Sequence, residues 1–135
     1  MTLTLRVLAP DQSIYDGSAD EVILPSASGQ MGILTGHVSM LTALDSGVLR
    51  VRDGGNWSAI AVMGGFAEVE DNAVTVLVNA AELGSAIDSS AAQAAFEQAQ
   101  QAAAGFEGQA PSPEKVKAQQ ALAQARARLQ ASKGG

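Results

Sequence analysis

Cysteine is absent from the 135 residues, which excludes disulfides, thiolate catalysis and any cysteine-ligated zinc site. The single histidine, His37, leaves no multi-histidine metal site. Aromatic side chains make up 4% of the chain and charged ones 16%; 8 basic groups face 14 acidic ones, a net charge of -6. That acidity argues against free nucleic acid as a partner. No uninterrupted apolar run approaches the roughly 20 residues that a membrane span needs. The segment from Met1 to Val7 alternates apolar and polar residues, with no basic region ahead of an apolar core, and so reads as no signal peptide. The 47% of apolar residues belong to a globular chain, not a disordered one. A soluble, intracellular protein with one compact domain and a small appendage is expected.

The two parts of the chain differ in material. Residues 1–87 hold 32 of the large apolar or aromatic side chains and 10 of the 14 glycines. Residues 88–135 hold five such side chains, Phe96, Phe106, Val116, Leu122 and Leu129, while alanine takes 15 of the 48 positions. Charge divides as well: residues 1–111 carry 3 basic and 13 acidic groups, net -10, and residues 112–135 carry 5 basic and 1 acidic, net +4. Burying a Leu or Phe contributes roughly 1.5–3 kcal/mol and an alanine methyl roughly 0.8. The first part can build a core; the second can only dock weakly, which suits a segment that moves.

Residues 1–87 read as an all-β sandwich or flattened barrel. Leu3, Leu5 and Val7 alternate with Thr2, Thr4 and Arg6, the period of a half-buried strand. Val22-Ile23-Leu24 is expected to end at Pro25, which cannot donate to a ladder. Val48–Arg52, Asp53-Gly54-Gly55 and Trp57–Met63 read as a hairpin in which Asp53-Gly54 supplies the positive φ angles of the tight turn. Phe66–Glu70, Asp71-Asn72 and Val74–Val78 read as a second. Residues 88–135 read as an antiparallel two-helix hairpin. Asp88, Ser89 or Ser90 can cap a first helix reaching about Ala104; Gly105, Gly108 and Pro111 break it. Ser112-Pro113-Glu114 then offers a cap, a proline at the first helical position and a carboxylate near the positive helix end. The second helix carries Ala118, Leu122, Ala125 and Leu129 along one stripe.

Catalytic signatures are missing. Gly29-x-x-Gly32 and Gly64-Gly65 lack the Gly-Lys-Ser/Thr of a phosphate loop and read as structural turns. Asp20-Glu21 sit next to each other, where strand neighbours face opposite sides and form no dyad. No Gly-x-Ser-x-Gly elbow accompanies the serines, and His37 reads as an ordinary loop histidine. Met31, Met40 and Met63 read as core filler. The electrostatic anomaly is the basic helix, with Lys115, Lys117, Arg126, Arg128 and Lys133 behind an acidic body. It is either a solvated face or a segment that leaves its dock to meet an acidic surface.

One motif set orders these features. Pro10, Tyr15-x-Gly17, Val22-x-x-Pro25, Gly29-x-x-Gly32-Ile33-Leu34-x-x-His37, Leu41, Leu44, Gly47-x-Leu49-x-Val51, Gly64-Gly65-Phe66-x-x-Val69, Val74–Leu77 and Ala81-Glu82 follow one another. In that order the chain resembles the epsilon subunit of F-type ATP synthase along its whole length. Met63–Ala67 and Val76–Glu82 are most similar to the chloroplast and cyanobacterial branch. Ser39 departs from the proline usual two residues after the histidine.

The resemblance implies a non-catalytic rotor subunit without a cofactor of its own. Its partners would be the gamma subunit, the c-subunit ring and the α/β catalytic hexamer. Residues 1–87 would form the rotor body, with Gln30, Met31, Gly32 and His37 near the c ring; Gln30 stands where some members have an acidic residue. Residues 88–135 would be the regulatory hairpin, restraining ATP hydrolysis by setting Lys115, Lys117, Arg126 and Arg128 against an acidic segment of the β subunit. The nucleotide motif of some bacterial members is degenerate here: Ile87, Asp88 and Arg128 match, while Ala91 and Gln124 replace arginines. Loss of two guanidinium groups removes bidentate phosphate contacts, so weak or no ATP binding is expected. The implied location is peripheral, on the cytoplasmic (stromal-equivalent) face of a thylakoid membrane and touching it only through the c ring. The competing reading is a free-standing β-sandwich adaptor whose basic hairpin captures an acidic protein.

Overall fold

The computed structural model describes residues 2–134; Met1 and Gly135, the outer ends of the two expected domains, lie outside the described residues. Ten strands come first: β1 Leu3–Ala9, β2 Gln12–Ala19, β3 Glu21–Ser26, β4 Gly29–Ile33, β5 Met40–Leu44, β6 Gly47–Asp53, β7 Asn56–Val62, β8 Gly65–Glu70, β9 Ala73–Val78 and β10 Ala81–Leu83. A 3-10 turn, Gly84–Ala86, leads into the helices α1 Ser89–Ala104 and α2 Pro113–Ser132. The β sandwich followed by a helix hairpin is thus the fold found.

The strands form one sheet in the order β10-β7-β6-β3-β5-β8-β9-β1-β2, with β4 beside β3. Neighbours are antiparallel except β1 and β9. The sheet curls until its outer strands β2 and β10 meet, giving a nearly closed barrel. Period-two alternation fills it: Leu3, Leu5 and Val7 point inward beside Val22, Leu24, Leu49, Ile60 and Val76. Met31 and Met40 pack at its margin.

Both hairpin turns appear where the sequence predicts them. Gly54 and Gly55 take φ of 60° and 83°, so the positive-φ pair is Gly-Gly while Asp53 still pairs with Asn56. Asp71 and Asn72 supply the same geometry at 48° and 63°. Pro25, by contrast, does not end its strand: β3 continues to Ser26, and Pro25 pairs with Gln30. The Pro25 carbonyl accepts from the Asp45 amide at 3.0 Å in the β5–β6 connection. On that side β3 leaves β6 for β5, so the missing donor falls between two partners and removes no ladder bond.

Asp20 and Glu21 also differ from expectation. Asp20 lies in the bend between β2 and β3, where strand alternation does not operate, and both carboxylates converge on Arg52. Arg52 further stacks 5.9 Å from the Trp57 ring, and Asp20 accepts the Gly54 amide at 2.9 Å. The acidic pair braces the β6–β7 hairpin.

The helices start as their caps dictate. Asp88 is the N-cap of α1, its Oδ1 accepting from Ser90 and Ala91 amides at 2.9 and 3.2 Å. Ser112 caps α2 by accepting from the Lys115 amide at 3.1 Å, with Pro113 in the first turn.

Candidate functional site: two interaction surfaces

The first surface is the seam between strands and helices. β6 and β7 are covered on both faces. Leu49, Val51, Ile60 and Val62 point into the barrel, whereas Val48, Ala59 and Ala61 point outward into a second, smaller cluster. There they meet Ile87, Ala92, Ala127, Leu129 and Ala131, with Met63 and Phe96 at the edge. Small residues on both sides bring backbones close: a Cβ on Gly84 would overlap the Ala131 carbonyl and lie 2.9 Å from the Ala59 carbonyl oxygen. Ser89 Oγ adds a long hydrogen bond to the Ser132 carbonyl, 3.5 Å.

Docking is uneven along α2. Ala127, Leu129 and Ala131 are buried, but Ala118, Leu122 and Ala125 are half-buried. The expected stripe is therefore shifted: the last third of α2 meets β6, β7 and the 3-10 turn as well as α1. Under its first two thirds an open groove of about 590 Å³ separates Val116, Gln120 and Gln124 from Leu44, Met63 and Asn79.

The four predicted basic residues have different contacts. Lys117 is exposed. Lys115 Nζ donates to the Gln109 carbonyl at 2.7 Å, within the hairpin. Arg126 lies 5.9 Å from the Phe96 ring, also within the hairpin. Arg128 reaches the strand body, with Nε donating to Glu82 Oε1 at 2.7 Å and Nη2 to Oε2 at 3.3 Å. This bidentate bond to Glu82 raises the Arg128 pKa against a smaller opposing effect of burial. Sequence reasoning missed Glu82 as the partner, since 46 residues separate the two.

Of the nucleotide motif, Ile87 is buried in the second cluster, Asp88 caps α1 and Arg128 is held by Glu82. The expected c-ring residues fall on β4 and the loop after it. Gln30 and Gly32 are exposed and Met31 turns inward against the barrel core. His37 lies beyond the opposite end of β4 from Gln30, its Nδ1 donating to the Val38 carbonyl at 2.8 Å. Asn72 Oδ1 ties this loop to the β8–β9 turn by accepting the Gly36 amide at 2.7 Å.

The second surface is apolar and outward. Cross-strand register aligns Ala43, Phe66, Leu77 and Leu8 in one row across β5, β8, β9 and β1. Phe66 is 56% exposed and Leu77 55%; Leu41, two residues along β5 on the same face, is 70% exposed. Leu34 and Val38 are exposed in the adjoining loop. Exposed apolar side chains aligned in this way mark protein interfaces. The sequence contains the signal only as Phe66 out of phase with buried Ala67 and Val69.

Among the described residues no helix is long and apolar enough to cross a membrane, and no group of acidic or histidine side chains is arranged to hold a metal.

Two family models cover the chain between them: the ATP synthase delta/epsilon chain β-sandwich domain over residues 2–84 and the long α-helix domain over residues 85–133. The ATP synthase epsilon chain of Synechococcus sp. (strain CC9902) is 71% identical over 133 residues, 98% of each chain. A chain in the Euglena gracilis mitochondrial ATP synthase structure of OSCP, F1 and c-ring superposes with a TM-score of 0.78 at 25% identity, over 97% of this chain and 81% of that one. A chain of the Tetrahymena thermophila mitochondrial ATP synthase central stalk and c-ring has the same fold, with a TM-score of 0.63 at 18% identity over 98% and 97%.

Proposed function

The chain belongs to the ATP synthase delta/epsilon family, and from that premise we propose how its two parts divide the work. It is a central-stalk subunit whose partners are the gamma subunit, the c-subunit ring and the α/β catalytic hexamer. The adaptor reading accounts for neither family match. Residues 1–87 form the rotor body, and the row of Phe66 and Leu77 is its footing on the gamma subunit. Gln30, Met31, Gly32 and His37 form the c-ring side; Gln30 and Gly32 offer exposed atoms to it, while Met31 supports them from behind. Residues 88–135 are the regulatory hairpin, which restrains ATP hydrolysis by presenting Lys115, Lys117, Arg126 and Arg128 to an acidic segment of the β subunit.

One observation carries this reading: the helices do not share the barrel interior. They rest on the outside of β6 and β7 through a separate cluster made largely of alanine, so they can leave while the barrel stays folded. The subunit does no chemistry itself, which belongs to the catalytic hexamer. Its location is peripheral, and the cyanobacterial relatives favour the cytoplasmic (stromal-equivalent) face of a thylakoid membrane. Added to a purified α/β/gamma assembly, the full chain is expected to slow ATP hydrolysis, and a chain ending at Ile87 to bind without slowing it. Equal hydrolysis with both would remove the inhibitory role and leave the coupling role.

The free subunit binds ATP weakly or not at all. Asp88 and Arg128, the matching charged members of the motif, are each already engaged elsewhere, Asp88 as the cap of α1 and Arg128 in its ion pair with Glu82, and Ala91 and Gln124 bring no guanidinium. Titration calorimetry with ATP should give no heat at micromolar concentrations; a low-micromolar Kd would refute this.

A further inference from the structure

Arg128 differs from the other three basic residues in what its contact joins. The contacts of Lys115 and Arg126 lie within the hairpin and travel with it; the Arg128 contact spans from α2 to β10. Glu82 pairs with Ala61 in the sheet register, and Ala61 points into the helix-facing cluster. The Glu82 carboxylate therefore stands on the face where α2 lands, at the rim of that cluster. Both its oxygens are used by one guanidinium, the geometry with which arginine would also grip a carboxylate of another protein. One guanidinium cannot serve both.

We propose that Glu82 is an internal counter-ligand: it occupies Arg128 while the hairpin is docked and withholds it from the acidic partner surface. This rests on the reading that the basic hairpin meets such a surface. Two groups of basic residues follow. Lys117, with Lys115 and Arg126, can begin an encounter from the docked state. Arg128 joins only when the Glu82 contact breaks, so an acidic partner competes with Glu82 and itself promotes release. The side chains of Arg128 and Glu82 are 34% and 44% exposed, so the contact is open to screening by salt and by other anions.

The two single substitutions separate this latch from a passive surface pair, because they open the hairpin alike but act oppositely on inhibition. In the full-length chain, Glu82→Gln and Arg128→Gln should each speed amide exchange in residues 125–132 by about fivefold and leave β8 and β9 unchanged. The exchanged pair, Glu82→Arg with Arg128→Glu, should restore protection. In the α/β/gamma assembly Glu82→Gln should inhibit hydrolysis at lower concentration than the unaltered chain, and Arg128→Gln at higher. Unchanged exchange in Glu82→Gln overturns the latch, whatever the hydrolysis assay gives. Faster exchange with no inhibitory change in Glu82→Gln, while removal of residues 88–135 still relieves inhibition, overturns the withholding of Arg128. If that removal also has no effect, the regulatory reading of the hairpin fails instead.

Discussion

Replacing Gly84 by alanine is expected to lift the helical hairpin off the strand body. The added methyl would overlap the carbonyl of Ala131 and press on the carbonyl of Ala59, 2.9 Å away. Both obstacles are main chain, so trimming a neighbouring side chain gives no relief, and α2 has to move as a unit. Overpacking of this sort costs about 1–3 kcal/mol. The cluster that opposes it has Val48, Ile87 and Leu129 as its large buried members, so a cost of that size is a large part of what holds the helices down. A tenfold change in population corresponds to about 1.4 kcal/mol; the open fraction should rise by about fivefold to a hundredfold. Amide exchange in residues 125–132 reports it directly, and Trp57 gives a second signal because it lines the same crevice as Gly84 and Ala131. Thermal melting of the barrel should stay within a few degrees, since none of its interior side chains is touched. Protected α2 amides in the variant would mean that the seam tolerates separation, and the role given to close backbone approach would be wrong.

The same seam shows where the sequence runs out. Turns and caps were legible, because Gly54-Gly55, Asp71-Asn72, Asp88 and Ser112 act through their own backbone or the next three residues. The barrel interior was legible too, through the alternation of Leu3, Leu5 and Val7. Docking was not. Ala59-Ile60-Ala61-Val62 reads as one apolar strand, and nothing local says that Ile60 and Val62 serve one cluster while Ala59 and Ala61 serve another. The continuous apolar run was the available sign of a strand covered on both faces. On α2 the expected stripe falls short because the end of the helix answers to β6, β7 and the 3-10 turn as well as to α1. The Arg128 partner was beyond reach for another reason: a long-range ion pair leaves no periodic trace. Gly29-x-x-Gly32 reads as a turn, yet both glycines lie in the regular strand β4, whose alternation separates Gln30 and Gly32 from Met31.

Phe66 illustrates a third limit and leads to the second large effect. An aromatic residue in a strand is assigned to the core by hydrophobicity, yet β8 buries Ala67 and Val69 and turns Phe66 and Glu68 outward. Alternation along β8 places Ala67 and Val69 inside and Phe66 outside, where it gains an aligned neighbour in Leu77 on β9. Substituting Phe66→Glu together with Leu77→Glu should leave the barrel folded, because both side chains are more than half exposed. Binding to the gamma subunit should fall sharply. Central aromatic anchors carry about 2–4 kcal/mol at protein interfaces, and a buried unpaired carboxylate adds further cost, so the Kd should rise by at least about a hundredfold. Calorimetry of the purified pair, with circular dichroism of the variant alone as the folding check, measures both halves of the expectation. The paired change Glu68→Gln, on the same face but in the next row, should alter affinity by less than about tenfold. A folded Phe66→Glu, Leu77→Glu chain that still binds gamma at its former affinity would move the footing to another face of the barrel.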